Sequence, residues 1–204
     1  MSFVIAVSDG IDAVVAADSQ TTNSETMEII DTNYLKIKRI NNLNPLYICF
    51  GGNVALAEYV FLKLDSLDLY NSLTISITDC ANKILKYADE FISKNNLDRK
   101  TVFSFFIIAT KNKSYVGNNK YRYSIYGIDT SNRTYKKITN TNEKYLYLYL
   151  TSGLISNQKI ENIINKHLNT VVPLSLEVKT RKIIKEVSKL DPTVNNNIKS
   201  LKVK

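Results

Sequence analysis

Apolar residues recur along this chain at two periods, first as short continuous or alternating runs and then at helical spacing. Phe3-Val4-Ile5-Ala6-Val7 and Ala13-Val14-Val15-Ala16-Ala17 are strand-length apolar runs separated by the turn signal Ser8-Asp9-Gly10, and together they predict a hairpin. With the loop centred near Gly10, paired positions sum to about twenty, which sets Ser2 across from Asp18. A short strand over residues 36–40 and a buried strand over 46–50 run into Gly51-Gly52. Val54, Ala57, Val60, Phe61, Leu64 and Leu67 then repeat at helical spacing, as do Ile77, Cys80, Ala81, Ile84, Leu85, Ala88, Phe91 and Ile92. Strands are predicted over 102–109, 121–128, 133–138 and 145–150, with polar breaks at Gly117-Asn118-Asn119, Asp129-Thr130-Ser131-Asn132 and Thr139-Asn140-Thr141-Asn142. Helices over 155–168 and 174–190 precede a last strand over 198–203.

Runs of strands separated from runs of helices favour packed antiparallel sheets over a parallel sheet, and helices outside both sheets give four layers. The predicted fold class is therefore α+β, a four-layer αββα sandwich, formed as one domain over residues 1–204. A chain of this length buries roughly 70% of the surface it exposes when unfolded. Tyr145, Tyr147 and Tyr149 alternate with Leu146, Leu148 and Leu150, the pattern of a strand covered on both faces.

The hairpin brings chemistry with it. A serine hydroxyl needs a base within hydrogen-bond reach, and a free α-amine, titrating near about 8, would be carried by the same residue if Met1 were removed. Ser2 beside Asp18 is thus a candidate catalytic pair. The same residues have an ordinary reading: a small residue after Met favours methionine removal, and Asp commonly closes a strand. Lys36 reads either as a charge that lowers the pKa of a nearby hydroxyl or as a solvated strand lysine sharing a face with Lys38. Gly51 opens either an oxyanion-binding junction, where the amides of the following helix start point at developing charge, or a plain Gly-Gly turn.

In order, Ser2, Ala16-Ala17-Asp18-Ser19-Gln20, Lys36 and Gly51-Gly52 resemble the N-terminal half of proteasome β subunits and the bacterial ring proteases related to them. The mature chains of that family start with Thr, pass through a hairpin to Ala-Ala-Asp-Ser-Arg, reach a Lys strand, and then a strand ending in Gly-Gly before a long helix. With Met1 removed, the spacing from nucleophile to Asp fits without a gap. The resemblance implies the N-terminal nucleophile (Ntn) hydrolase fold, with Ser2 as nucleophile and its own amine as base, Asp18 and Lys36 tuning it, and Gly51 at the oxyanion site. Thr151-Ser152-Gly153 resembles the family's Gly-Ser-Gly, which makes Ser152 a support for the terminal amine, and Asp191 matches the family's late Asp. The chain departs from the pattern at Ser2 in place of Thr, at Gln20 in place of Arg, and at Val194-Asn195-Asn196 in place of Ser-Gly-Gly. Asn tolerates the left-handed backbone better than most residues.

The resemblance further implies a peptide or protein substrate, a homo-oligomeric ring or arc, and no cofactor; it does not identify an unfoldase partner. It also leaves open a ring subunit that shapes the assembly without cutting. The net charge of +8, with tyrosines interleaved among basic residues, raises a nucleic-acid-binding alternative, but the charge is spread along the chain and no RNA-binding motif is readable. No run is long enough to span a bilayer and no secretory signal is visible, so the expected location is cytoplasmic. Cys49 and Cys80 sit in apolar patterns and read as core residues. The single histidine, His167, reads as a helix-end cap or dipole partner, and a zinc site has no ligand set.

Overall fold

A computed structural model describes residues 2–23, 26, 28–40, 45–66, 76–111, 123–138 and 144–204. Met1, Leu67, the predicted breaks at 117–119 and 139–142, and the start of the predicted strand at 121 lie outside the described residues. The hairpin forms from β1 (Val4–Ser8) and β2 (Ala13–Asp18), followed by β3 (Thr21–Thr22), β4 (Ile29–Asp31), β5 (Ile37–Ile40) and β6 (Leu46–Gly52). Helices α1 (Val54–Asp65) and α2 (Ile77–Lys94) lead to β7 (Ser104–Lys111), β8 (Tyr123–Asp129), β9 (Thr134–Ile138) and β10 (Leu146–Leu150). The chain finishes with α3 (Asn157–Leu168), α4 (Leu176–Val187) and β11 (Ile198–Lys202).

Two antiparallel sheets carry the architecture, one in the order β10-β1-β2-β11 and one in the order β5-β6-β7-β8-β9. Three apolar clusters fill the three spaces between four layers. Ile48, Phe50, Phe106 and Ile108 of the five-stranded sheet pack against Leu56, Val60, Ile84 and Ala88 of α1 and α2. Phe3, Ile5, Val14 and Ala16 of the other sheet pack against Ile160, Ile164, Ile183 and Ile184 of α3 and α4. Between the sheets lie Val4, Ala6, Val15 and Ala17 on one side and Tyr47, Cys49, Ile107 and Ile125 on the other. The period-2 pattern is what allows one strand to serve two interfaces. In β10 the alternation is literal: Tyr145, Tyr147 and Tyr149 face α3 and α4, whereas Leu146, Leu148 and Leu150 face the second sheet. Tyr149 stacks on Phe3 with ring centroids 6.1 Å apart. These tyrosines belong to the layer packed against α3 and α4.

The hairpin register differs from expectation by one residue. Val4 pairs with Ala17 and Ser8 with Ala13, so Asp18 lies across from Phe3 rather than Ser2. The cause is the loop, in which Asp9 Oδ1 accepts hydrogen bonds from the amides of Ile11 (2.9 Å) and Asp12 (2.8 Å), and Gly10 takes φ +88°. That side-chain-anchored turn centres the loop one half-step beyond Gly10. The short strands β3 and β4 were not predicted; Ile29 and Ile30 are exposed, and no alternation marks them. Cys49 and Cys80 are buried free thiols, and burial pushes the Cys80 thiol up to about 12. His167 lies in the last turn of α3, its Nε2 2.7 Å from Glu186 Oε2 on α4, and so joins the two helices.

The end of β6 is set by Gly52, which takes φ +115° and whose absent Cβ would sit 2.7 Å from the Phe103 carbonyl oxygen and 2.9 Å from Ser104 Cα. At Gly51 the nearest atom to such a Cβ is 3.7 Å away. Gly52→Ala is expected to cost roughly 1–3 kcal/mol of stability from backbone strain alone. Gly51→Ala should change stability by no more than about 1 kcal/mol. Urea titrations of the two variants check this, and equal midpoints would contradict it.

Candidate active site

Strand β1 places Ser2 at the end of the inner sheet with strands on both sides. The register Val4↔Leu150 between β1 and β10, continued by two residues along each chain, sets Ser152 across from Ser2. On the facing sheet, the Cβ that Gly51 lacks would lie 3.8 Å from Ser2 Cβ. Ser2 is only 7% exposed, and among the described residues its hydroxyl has no hydrogen-bond partner. At the start of α1, Asn53 Oδ1 accepts from the Leu56 amide at 2.9 Å and so occupies one donor of the first turn. The backbone next to Ser2 is that of β6 at Gly51, before the helix begins.

Asp18 closes β2 and is fully buried. Its Oδ1 accepts from the Phe3 amide (2.8 Å) and its Oδ2 from the Gln20 amide (3.0 Å), so one carboxylate holds both the peptide that follows Ser2 and the exit from β2. Lys36 precedes β5 and reaches Asp18 with Nζ 3.0 Å and 2.9 Å from the two carboxylate oxygens. Its third donor goes to the Gln20 carbonyl. At 1% exposure Lys36 is not a solvated strand lysine, and it does not share surroundings with Lys38, which pairs with Asp65 and lies over the Phe61 ring. Burial pushes the Asp18 carboxyl up and the Lys36 amine down, and the ion pair between them opposes both shifts.

A second polar group forms around Asp191, just after α4. Ser152 Oγ donates to Asp191 Oδ2 and accepts from the Leu154 amide at 3.1 Å. Asp191 Oδ1 accepts from the Thr193 amide (2.9 Å) and the Thr193 hydroxyl (2.6 Å). Besides Ser152, the hydroxyl on Asp191 from its own loop therefore comes from Thr193, while Val194 turns into the apolar layer under α3 and α4. Sequence reasoning overlooked Thr193, although a hydroxyl residue two positions after an Asp is the signal of such a turn. Asn195 and Asn196 do not take the left-handed backbone: among the described residues, positive φ outside glycine is confined to Asn96 and Arg133. They act through their side chains instead. Asn195 Oδ1 accepts from the Ser19 amide at 3.2 Å and its Nδ2 donates to Thr32 O at 2.9 Å, while Asn196 Oδ1 accepts from Ser188 Oγ.

The structure thus joins Asp18 to Lys36 and to the amide that follows Ser2, sets Gly51 beside Ser2, and joins Ser152 to Asp191. Among the described residues no group of three or more His, Cys, Asp or Glu side chains could hold a metal ion, and no helix is long and apolar enough to cross a membrane.

A buried pair of this kind is costly to break on one side. Lys36→Met should lose about 3–5 kcal/mol at neutral pH, and Asp18→Asn combined with Lys36→Met should recover a large part of it. In Lys36→Met the Asp18 carboxyl rises further for want of its partner. A folded-state value above the unfolded one favours folding below the ordinary carboxylate range and loses that contribution as pH rises through the folded value. The single variant should therefore recover stability on acidification from about pH 8 to 4 relative to the double variant. Urea midpoints across that range check the sign, and parallel curves would contradict it.

Neither a protein-family model nor a curated protein matches the chain in sequence. Solved structures do match it in fold. Eukaryotic HslV from Trypanosoma brucei superposes with a TM-score of 0.62 at 19% identity, covering 99% of both chains. The Anbu complex from Pseudomonas aeruginosa, described as a helical assembly, gives 0.70 at 16% identity over 98% of this chain and 80% of that one. Anbu, the ancestral beta-subunit, from Yersinia bercovieri gives 0.71 at 14% identity over 98% and 81%. With its two antiparallel sheets between two pairs of helices, the chain has the fold of the proteasome-related N-terminal nucleophile hydrolases.

Proposed function

We propose that this chain is a proteasome-like hydrolase that cleaves peptide or other amide bonds through an acyl intermediate on Ser2, after removal of Met1. The observation that carries the reading is the buried Lys36 ammonium, its three donors held by Asp18 and Gln20, on the carboxylate that also accepts from the amide following Ser2. A buried ion pair adds little net stability over a well-packed apolar pair, so its presence here is better explained by the charge it fixes near the hydroxyl. With every N–H engaged, Lys36 acts through its field and leaves proton transfer to another group.

In this mechanism the Ser2 α-amine, directly or through a water, takes the hydroxyl proton as Oγ attacks the substrate carbonyl carbon. The carbonyl electron pair moves to oxygen, which is stabilised by backbone amides at the Gly51 end of β6. The intermediate collapses, the carbon–nitrogen bond breaks, and the protonated amine delivers its proton to the leaving nitrogen. Water then attacks the Ser2 ester with the amine again as base, releasing the carboxylic acid and restoring the hydroxyl. Ser152, across from Ser2 and bonded to Asp191, would orient the amine. A homo-oligomeric ring or helical arrangement is proposed on the same fold-level ground, since the matched Anbu complex is described as a helical assembly.

The test is the intact mass of the native protein before and after incubation with a peptide epoxyketone, whose stable adduct needs a hydroxyl and a free amine on one residue. The expected result is a chain lacking Met1 that gains one inhibitor mass, while Ser2→Ala gains none and hydrolyses no peptide. A chain that keeps Met1, or loses it and stays unmodified, would overturn the proposal in favour of a non-catalytic assembly subunit. A residue added before Ser2 should silence hydrolysis without changing the fold, as circular dichroism and a peptide assay together would show.

A further inference from the structure

The acceptor that completes the Lys36 cage is not part of any long element. Gln20 sits between β2 and the two-residue β3, whose partner β4 is exposed throughout, so the ladder there does little to fix its carbonyl. What fixes it is a set of bonds to other parts of the site. The Gln20 amide donates to Asp18 Oδ2 at 3.0 Å, and its side-chain Nε2 donates to the Pro192 carbonyl at 2.9 Å, in the loop that holds Asp191. The neighbouring Ser19 hydroxyl lies 2.7 Å from Asn197 O and 2.8 Å from Thr32 O and donates its one proton to either. Gln20 is buried, so its amide group has no solvent to fall back on, and loss of the Pro192 bond would leave that carbonyl without this donor.

We propose that Gln20 is a positioning residue for the Lys36 ammonium, tying the Asp18–Lys36 cage to the Asp191 loop through Pro192 so that both polar groups around Ser2 keep one relative placement. The argument rests on the reading of Lys36 given above as the charge that tunes Ser2. A buried ammonium needs all three of its donors satisfied. If the Gln20 carbonyl drifts, the third N–H loses its acceptor, and the cheapest response is for Nζ to turn about Asp18. The field at Ser2 then changes although neither Lys36 nor Asp18 has been altered. A merely structural Gln20 would close the loop and leave the ammonium where it was.

The test uses Gln20→Met, which keeps side-chain length and removes the donor, in full-length protein labelled with 15N-lysine. The Lys36 Nζ signal is identified by its loss in Lys36→Met and is expected as a slowly exchanging ammonium resonance. In Gln20→Met it should shift and exchange faster, kcat should fall by up to about 100-fold with KM unchanged, and the pH profile of kcat/KM should move. An unchanged ammonium signal overturns the proposal, as does a shifted signal with kcat and pH profile intact. If the native protein hydrolyses nothing, the proposed function fails, and the ammonium signal alone still decides whether Gln20 positions Lys36. Should Gln20→Met not fold, Gln20→Leu, likewise uncharged and without the donor, gives the same reading.

Discussion

Two opposite charges sealed between two sheets impose more on this molecule than any apolar contact does. Asp18 and Lys36 are each stripped of water, and a charge in that position survives only if every polar atom around it finds a partner. The requirement propagates outward. Asp18 takes the amides of Phe3 and Gln20, Lys36 takes the Gln20 carbonyl, and Gln20 in turn reaches Pro192. Four stretches far apart in sequence are drawn to one point because an unsatisfied charge there would cost several kcal/mol, a large share of a typical domain's stability. The apolar layers supply most of the folding free energy, yet they tolerate exchange of one aliphatic side chain for another in a way the charged cage does not.

Much of the fold could be read from the chain because its strands and helices each have one job that shows in their pattern. The Tyr–Leu alternation of β10, the helical spacing of α1 and α2, and the apolar settings of Cys49 and Cys80 each follow from the layers they separate. The hairpin was legible as well, although its register was not. Where the turn centres depends on Asp9 capping two amides, a side-chain choice that no hydrophobic pattern encodes. Strands β3 and β4 were invisible for a related reason: they are held by ends tied elsewhere, by Ser19 and Asn195 to Thr32, rather than by buried faces of their own.

The candidate site divides along the same line. Ser2, Asp18, Lys36 and Gly51 lie in or beside strands whose placement follows from apolar periodicity, and so their proximity could be anticipated. Thr193, Gln20 and Asn195 lie in connections, where position is decided by hydrogen bonds between particular side chains and particular carbonyls. Val194 is instructive: by position it stands where a hydroxyl was sought, but its side chain belongs to the apolar layer and the hydroxyl is displaced by one residue to Thr193. A pattern match read position by position misses such an exchange, whereas the carboxylate of Asp191 is indifferent to which neighbour supplies the donor.

Strand β1 is central in its sheet, hydrogen-bonded to β10 on one side and β2 on the other. Chain ends ordinarily fray, and a group at a chain end ordinarily samples many positions on the fastest timescales of the backbone. Here the segment leading away from Ser2 can loosen only if two ladders and two apolar layers loosen with it, which ties its opening to opening of the whole sheet. The placement of the backbone that carries Ser2 is therefore tied to the entire molecule, and any change that lowers global stability, however distant, also raises the fraction of time that this backbone spends out of register with the sheet.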